Sequence, residues 1–426
     1  MGKTMIQKIM QRASGKEVQI GDRVWCNVDL STARDFGGPN CVLQFEEVTD
    51  KQGKVWDPKK IAFTFDLQAP AHSEKVSNNQ KIIREFSRKQ GIDKVFDINW
   101  GIGQHVLLEN GHVKPGDVIL GTDSHMNLLG AVGAFATGVG NTDIVASWIL
   151  GTLWFRVPET MKITATGKFA KGVYMRDLLT HLVGTLGADG MFFKAVEFYG
   201  DTVENSTLAD RITLCSMVTE MSGKVGLIMP SGPVLDWLAA RAGDEVRQRV
   251  KDLAADADAP YCQEVSVDVS KLEPLASCPD APDNVKKVRE VAGEKIQQVH
   301  IGSCSNGRFE DITAAFEVLQ AGGFQVSPEV RTIITPSTRE VMKQCAEAGY
   351  IQKFLEAGVV FTNPTCSLCT AEHYGALPSG DVAISTTNRN FIGKVGKGSH
   401  TYLMSPASAM ASAVRGVITD PRDILG

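Results

Sequence analysis

The sequence predicts an α/β fold made of three α/β domains with mostly parallel sheets. Two observations support this fold class. Short apolar, β-rich runs alternate with amphipathic helical stretches along most of the 426 residues. Polar and glycine-rich segments also follow directly after several apolar runs, and open α/β sheets place their sites at such strand ends. A chain of this length is long enough for two or three domains.

The first third of the chain shows the alternation clearly. Helical periodicity covers residues 4–13 and 79–90, and Gly15 and Gly91 end these helices. The predicted strands of this part cover residues 24–29, 60–66, 95–98 and 118–120. The glycine-rich stretch 130–140 lacks both a G-x-G-x-x-G pattern and a phosphate-loop lysine, so it predicts close packing rather than a nucleotide site.

Changes in composition predict two domain boundaries. Residues 161–167 alternate like a half-exposed strand, and the stretches 252–258 and 274–282 are rich in Asp, Ala or Pro, as linkers are. Strand–helix alternation resumes at residue 298 and continues to a helix over 406–414. The predicted domains are therefore residues 1–160, 161–290 and 291–426.

Composition excludes several partners. The formal net charge is −5, which gives no reason to expect a nucleic acid or an anionic membrane surface. Nine cysteines, without a secretory segment near the start or an apolar run of membrane-spanning length, predict a cytoplasmic location.

Three cysteines stand out by their position after predicted strands. Cys366 and Cys369 form a C-x-x-C pair after the apolar run 358–361, and Cys304 follows the run that ends in Val299. Thiolates select zinc, copper(I) or iron–sulfur clusters. The spacing alone also fits a structural zinc site, a redox pair or ordinary buried thiols. The other cysteines are interpreted as ordinary thiols: Cys26, Cys41, Cys215, Cys262, Cys278 and Cys345.

Four sequence motifs resemble those of the aconitase superfamily. They are, in chain order, G-T-D-S-H at residues 121–125, G-S-C-S-N-G-R at 302–308, N-P-T-C-S-L-C at 363–369 and S-T-T-N-R-N-F-I-G at 385–393. The resemblance runs from residue 3 to residue 423 and is greatest for the large subunits of 3-isopropylmalate dehydratase and homoaconitase. It implies that the three domains surround a central cluster cleft, without the family's swivel domain.

The resemblance implies one [4Fe-4S] cluster on Cys304, Cys366 and Cys369, in which one iron lacks a cysteine ligand. In the family that open iron acts as a Lewis acid on a 2-hydroxy acid, which loses water and regains it. The implied activity is that of a hydro-lyase or isomerase acting on a small 2-hydroxy di- or tricarboxylic acid.

The motifs also imply substrate-binding residues. Arg389 corresponds to the arginine that binds a substrate carboxylate, a task that suits its planar fork, although a plain surface cation is the alternative. Asn388 and Asn390 shape its loop, and Lys394 stands where relatives usually carry a second arginine. The remaining substrate-binding candidates from the motifs are Ser124, Asn306 and Arg308.

Proton transfer in the family depends on pairs of a carboxylate and an imidazole. Asp123 with His125 preserves one such pair, and Glu220 matches a family glutamate, although Ser216 replaces the usual Asn beside it. These three residues are catalytic candidates.

Two further positions depart from the family pattern. The family's Asp-His is Asp66-Leu67 here, and its His-Gln is Gln104-His105, with the order exchanged. Asp66 and His105 are kept as catalytic candidates. Either the site is retuned for another hydroxy acid, with His105 or Glu220 taking over part of the proton relay, or the usual dehydration has been lost.

A partner is implied by what the chain lacks. No Gly-Ser-Ser-Arg-like loop of the swivel domain follows the helix over 406–414, so a separate small subunit is expected to supply it. An active heteromer is therefore predicted. The alternatives are an iron–sulfur sensor or scaffold on the same fold, and a structural zinc protein.

Overall fold

The computed structural model describes residues 2–369, 373 and 375–426. The chain forms two compact units. Unit 1 comprises Met1–Ala165 and Met191–Val267, and unit 2 comprises Thr166–Gly190 and Asp268–Gly426. The predicted domain boundaries near residues 160 and 290 stay a prediction. No helix of the described part is long and apolar enough to cross a membrane.

The strands are, in chain order, β1 (Arg23–Asn27), β2 (Leu30–Arg34), β3 (Ile61–Thr64), β4 (Lys94–Phe96), β5 (Val118–Gly121), β6 (Phe135–Gly138), β7 (Thr152–Arg156), β8 (Thr160–Thr166), β9 (Ala195–Tyr199), β10 (Val225–Leu227), β11 (Tyr261–Asp268), β12 (Leu275–Ser277), β13 (Val285–Lys287), β14 (Gln298–Ile301), β15 (Arg331–Ile334), β16 (Val360–Phe361), β17 (Val382–Ser385) and β18 (His400–Leu403).

The α-helices are α1 (Met5–Ser14), α2 (Gly38–Val48), α3 (Glu74–Gln90), α4 (Gly103–Glu109), α5 (Asn141–Leu150), α6 (Met175–Leu186), α7 (Asp201–Glu204), α8 (Leu208–Ser216), α9 (Gly232–Ala242), α10 (Glu245–Leu253), α11 (Phe309–Ala321), α12 (Arg339–Glu347), α13 (Tyr350–Glu356), α14 (Pro406–Arg415) and α15 (Arg422–Leu425). Short 3₁₀ segments cover Pro58–Lys60, Ser124–Val132, Met217–Met221, Val269–Lys271 and Val288–Glu290.

Local sequence signals explain where the first helices begin and end. Thr4 caps α1 through a reciprocal arrangement with Gln7, and Gly15 ends the helix at a φ of 67°, a conformation that glycine adopts without a steric penalty. Helix α3 ends in the same way at Gly91. It begins five residues earlier than predicted because Ser73 supplies an N-cap, which the apolar periodicity alone did not reveal.

The central sheet of unit 1 has five parallel strands in the order β4-β3-β2-β5-β6. The chain runs outward from β2 to β4 on one side and from β5 to β6 on the other. The strand order therefore reverses between β2 and β5, which is where open α/β sheets form binding crevices. A second, four-stranded sheet of unit 1 has the order β10-β9-β8-β11, and β1 pairs with β7 in an antiparallel ribbon.

Unit 2 is built on a seven-stranded sheet in the order β13-β12-β18-β17-β14-β15-β16. Strands β14 to β18 are parallel, and β12 and β13 add an antiparallel edge. The prediction of mostly parallel sheets is confirmed. Here the strand order reverses between β14 and β17. The stretch 274–282 is not simply a linker, because β12 lies within it and pairs with β18.

An aromatic cluster forms part of the core of unit 1. Trp148 is fully buried, and its ring centroid lies 5.5 Å from that of Phe63 and 5.6 Å from that of Phe86. Each such aromatic pair contributes about 0.5–1.5 kcal/mol beyond the burial of its area. This cluster packs beneath the five-stranded sheet with α2, α3 and α5, and so supports the sheet edge described below.

The glycine-rich stretch 130–140 packs closely, as predicted, although it contains β6 as well as a 3₁₀ segment. A Cβ atom on Gly130 would lie 1.7 Å from the carbonyl oxygen of Gly226 in β10. Backbone atoms cannot move aside as a flexible side chain can. The glycine is therefore required by the contact between this segment and β10.

We expect Gly130→Ala to destabilise the protein by at least about 1–3 kcal/mol, because the new methyl group overlaps a backbone carbonyl. Chemical denaturation followed by circular dichroism measures this loss. Gly140→Ala is the control, since its Cβ would meet nothing closer than 3.7 Å, and it should lose under about 1 kcal/mol. Equal stability of the two variants would contradict the close approach.

Candidate active site

Three charged side chains meet at the carboxyl edge of the five-stranded sheet. Arg34 ends β2, Asp66 follows β3 and Asp123 follows β5. The Arg34 Nε donates to Asp66 Oδ1 at 2.8 Å, and its Nη1 donates to Asp123 Oδ2. At most 10% of each side chain is exposed. The reversal of strand order between β2 and β5 therefore places one guanidinium between two buried carboxylates.

The imidazole of His125 lies between two further carboxylate contacts. Its Nε2 is 2.8 Å from Glu220 Oε1, and its Nδ1 is 3.6 Å from Asp123 Oδ1. Asp123 Oδ1 also accepts a hydrogen bond from the His125 backbone N–H at 2.7 Å, which fixes the carboxylate as an N-cap of the following 3₁₀ segment. The structure thus brings together the catalytic candidates Asp123, His125 and Glu220.

These contacts set the charge states at the site. Burial lowers the pKa of His125, but the hydrogen bonds that the ring donates to Asp123 and Glu220 outweigh it and raise this pKa to about 9. Burial raises the pKa of Asp123, yet Arg34 and His125 hold it well below its usual range. The pKa of Asp66 is raised, mainly by burial, although Arg34 opposes this. At neutral pH His125 is therefore an imidazolium that faces the ionised carboxylate of Asp123.

Backbone amides fix Asp66 and the chain after it. Asp66 Oδ2 accepts a hydrogen bond from the Gly103 N–H at 2.7 Å, at the start of α4. Asp35 accepts from the backbone N–H groups of Leu67 and Gln68 at 3.0 and 2.8 Å. Leu67 is buried. An apolar side chain therefore occupies the position where the family resemblance leads one to expect an imidazole.

The exchanged pair Gln104-His105 lies in the first turn of α4, and both residues are buried. A cavity of about 10 Å³ lies between Arg34, Asp66 and Asp123, and Gln104 rather than His105 lines it. With the order of the two residues exchanged, the side-chain amide of Gln104 lies beside the cavity that Asp66 and Asp123 also line. A relay function for His105 stays a prediction.

Ser124 lies beside a larger cleft of unit 1, with a volume of about 480 Å³. Asn127 also lines this cleft; it is 1% exposed, and its side-chain amide has no hydrogen-bond partner among the described residues. A buried amide without a partner is costly unless a ligand or water bonds it. Sequence analysis missed Asn127, although its position two residues after His125 was an available signal.

The cysteine candidates of unit 2 follow neighbouring parallel strands. Cys304 follows β14, and Cys366 and Cys369 follow β16, two strands away across β15. Cys304 and Cys366 are buried, and Cys369 is partly exposed. Because carboxyl ends of parallel strands lie at one sheet edge, the fold places these thiols on the same edge.

The donor set of this edge suits an iron–sulfur cluster. Asn388, which follows β17, donates from Nδ2 to Cys304 Sγ at 3.5 Å, and hydrogen bonds to sulfur are a means of tuning a bound cluster. The described residues contain no group of three or more His, Cys, Asp or Glu side chains placed to hold a metal ion. Thiolates on separate irons of one cluster need not converge as ligands of one ion do. Three thiols on one sheet edge, one of them hydrogen-bonded by Asn388, are a donor set that suits an iron–sulfur cluster.

A buried arginine that sequence analysis missed joins the two loops of this edge. Arg176 of α6 donates from Nη1 to Asn306 Oδ1 at 3.0 Å and to the Thr386 carbonyl at 3.2 Å, and from Nη2 to the Thr387 carbonyl at 2.7 Å. It is 1% exposed. The available signal was a charged residue on a helix whose buried positions are mostly apolar. Arg176 ties the loop of Cys304 to that of Asn388.

The other predicted substrate-binding residues lie in these loops or next to them. Arg308 caps α11, where its backbone N–H donates to Asp311 Oδ2 at 3.0 Å. Asn390 donates to the carbonyls of Cys278 and Thr401 at 2.8 and 3.0 Å, which holds its loop in place. Arg389 is partly exposed, as is Lys394, whose Nζ lies 5.2 Å from the centroid of the Phe391 ring.

Comparisons with known proteins agree with this arrangement. The model of the Aconitase family (aconitate hydratase) matches residues 7–416. A 3-isopropylmalate dehydratase large subunit 1 of Methanopyrus kandleri is 45% identical over 426 residues, with 100% of both chains covered. A probable methanogen homoaconitase large subunit of Methanothermobacter thermautotrophicus is 41% identical, covering 99% of this chain and 98% of that protein.

A solved structure supports the same fold. The holo-form of aconitase X from Thermococcus kodakaraensis aligns with a TM-score of 0.53 and 15% identity, covering 91% of this chain and 89% of that one. At this identity the likeness concerns the fold alone. The family model spans most of the chain, and full-length relatives are 41–45% identical to it. The chain is therefore a member of the aconitase family.

Proposed function

We propose that this chain is the large, cluster-carrying subunit of a hydro-lyase that dehydrates and rehydrates a small 2-hydroxy di- or tricarboxylic acid. The observation that carries the proposal is the buried His125, held between Asp123 and Glu220. Burying such ionised groups costs stability unless they are fully paired. A scaffold that only stores a cluster has no need of this arrangement, whereas an acid–base catalyst does.

Cys304, Cys366 and Cys369 would hold a [4Fe-4S] cluster. When bound, the cluster supplies Lewis-acid chemistry through an iron without a cysteine ligand, which makes hydroxide a better leaving group. The chain's own contribution is a buried sheet edge, with Asn388 as a hydrogen-bond donor to one sulfur. The burial of Cys304 and Cys366 limits the access of water to two of the three thiols.

His125 acts as the proton donor and acceptor in this proposal. Its raised pKa keeps it protonated at neutral pH, so it can donate a proton to a departing hydroxide. Glu220 accepts at Nε2 and Asp123 lies beside Nδ1, so both ring nitrogens face carboxylates that stabilise the imidazolium. Once the ring has given its proton to the leaving hydroxide, the neutral ring can take a proton back from water in the reverse step.

Substrate carboxylates would be bound by cations of the 385–393 motif and by its neighbour Lys394. Arg389 offers a planar fork that matches a carboxylate, and Lys394 offers a single point charge. Relatives carry names for 3-isopropylmalate dehydratase and for homoaconitase, so both substrate types suit the proposed class. The replacement of a usual arginine by Lys394 supports a substrate whose second carboxylate is bound less tightly.

A separate small subunit would complete the enzyme. The relatives that match this chain over its full length are named as large subunits. The proposed enzyme is therefore a heteromer whose large chain does not turn over substrate alone. The cytoplasmic location predicted from the cysteine content belongs to the same proposal.

Electron paramagnetic resonance tests the function directly. We expect the anaerobically purified, dithionite-reduced protein, combined with its small subunit, to show a cluster signal that shifts with one compound from a panel of 2-hydroxy acids. The panel comprises isopropylmalate, citrate, homocitrate, citramalate, malate and dimethylmalate. A signal that no compound moves would favour a sensor or scaffold. Stoichiometric zinc without a cluster would contradict both functions.

We expect Cys366→Ser to abolish the charge-transfer absorption of the anaerobically reconstituted protein and to lower its iron and acid-labile sulfide, because serine is a poor ligand for this centre. Cys262→Ser is the matched control, since Cys262 is exposed and lies outside the motifs. The proposal of Cys366 as a ligand would be wrong if the two variants retained equal cluster content.

We expect His125→Asn to reduce kcat by about 10²- to 10⁴-fold, the usual contribution of a general acid–base group. In the parent enzyme kcat should fall as the pH rises through about 9, where His125 loses its proton, and this limb should be absent from the variant. The control is His72→Asn, because His72 is exposed. An unchanged pH limb in His125→Asn would assign the titration to another group.

The same pKa predicts a stability effect. His125 has a pKa of about 9 when folded, above its ordinary value of 6.5. Its charged contacts therefore stabilise the fold fully below pH 6.5, and this stabilisation is lost as the pH rises through about 9. We expect thermal unfolding of the parent to show this loss between these pH values and His125→Asn to lack it. Parallel curves for the two proteins would contradict the raised pKa.

A further inference from the structure

We propose that Arg34 takes the place of the imidazole missing at Leu67 and acts as the positioning residue that orients Asp123 toward His125. This inference rests on the proposed function and assigns a part to a residue that lies in none of the family motifs. The pair Asp66-Leu67 keeps its acid, and a guanidinium from the neighbouring strand reaches that acid instead.

The geometry of Arg34 suits this task. Its Nε and Nη2 both lie 2.8 Å from Asp66 Oδ1, while its Nη1 donates to Asp123 Oδ2. Its backbone N–H donates to Thr122 Oγ1 at 3.1 Å, directly before Asp123 in the chain. The guanidinium therefore spans the reversal of strand order from β3 to β5 and leaves Asp123 Oδ1 to face His125.

The Asp66 end of the contact between Asp66, Arg34 and Asp123 is held in place by backbone amides. Asp66 is held by the Gly103 N–H, and Asp35 holds the backbone amides of Leu67 and Gln68. An arginine fixed at one end by such a buried acid presents its other nitrogens in a set direction, because the guanidinium is planar. Lysine offers a point charge on a flexible stem and would orient Asp123 less well.

Charge balance supports the same inference. Among the described residues, the charged groups that act on Asp66, Asp123 and His125 are the carboxylates Asp35 and Glu220 and the cation Arg34, besides these three themselves. Asp35 is satisfied by backbone amides, so Arg34 is the cation between the other acids of the sheet edge. Removing one partner of a buried pair leaves the other charge uncompensated. The positions of both acids thus depend on Arg34.

Steady-state kinetics of the two-subunit enzyme test the function of Arg34. We expect Arg34→Gln to lower kcat by about 10- to 100-fold, the range for groups that orient a ligand or catalytic side chain, with a smaller change in KM. The limb of the pH profile assigned to His125 should move to lower pH. Arg34→Lys should recover part of the loss. The control Arg247→Gln breaks an exposed ion pair with Asp236 and should leave kcat unchanged.

A double variant tests the replacement itself. Arg34→Gln combined with Leu67→His restores the Asp-His pair of the family and should regain activity relative to Arg34→Gln alone. Failure to regain activity, when Arg34→Lys does, would show that Arg34 does not substitute for an imidazole. An unchanged kcat and pH profile in Arg34→Gln would reduce Arg34 to a structural ion pair and overturn the proposal.

A second measurement does not depend on turnover. Histidine-selective NMR titration of the large subunit follows the His125 ring, assigned with His125→Asn. If Arg34 orients Asp123, its removal lowers the pKa of His125 from about 9 toward 6.5, because the ring loses its carboxylate partner. If Arg34 acts only as a nearby charge, its removal raises this pKa or leaves it unchanged, which overturns the proposal. An inactive parent enzyme with the lowered pKa would instead contradict the proposed function alone.

Discussion

Buried charge at the carboxyl edge of the five-stranded sheet is the constraint on which the rest of unit 1 depends. Arg34, Asp66, Asp123, His125 and Glu220 are withdrawn from water and must satisfy each other. Breaking one buried pair costs about 3–5 kcal/mol, a large part of the stability of an ordinary domain. The sheet beneath must therefore hold β2, β3 and β5 in fixed register, which its parallel ladder and aromatic core achieve.

Each unit places its candidate site residues at the point where the strand order of its sheet reverses. In unit 1 the strand order reverses between β2 and β5, and the acids and His125 lie at that reversal. In unit 2 it reverses between β14 and β17, and Cys304 and Asn388 lie there. At a reversal, the connections leave in opposite directions and open a crevice between the adjacent strand ends. Topology thus determines where each unit can place reactive side chains.

Local elements and motif loops could be predicted from the sequence, whereas contacts between residues distant in the chain could not. Periodicity located α1 and strands such as β3, β5 and β8 because a buried face leaves a repeating pattern. The motif order led to Cys304 and His125 because local sequence carries those loops. The contacts of Arg34 and Arg176 could not be predicted, since each is made with residues far away in the chain, such as Asp123 and Thr387. Strand β12 was missed because its pairing partner, β18, is also distant in sequence.

The departures from the family pattern change how the site responds to pH rather than removing its chemistry. An Asp-His pair contributes a cation that titrates near neutrality, whereas the guanidinium of Arg34 stays charged at every pH at which proteins fold. The edge therefore keeps a compensating positive charge while it loses one titrating group. Two groups then titrate at this edge: Asp66, whose pKa burial raises to about 7, and His125, whose raised pKa extends the protonated form well above neutrality. A site with Leu67 and Arg34 should consequently lack the titration that a second imidazole would add.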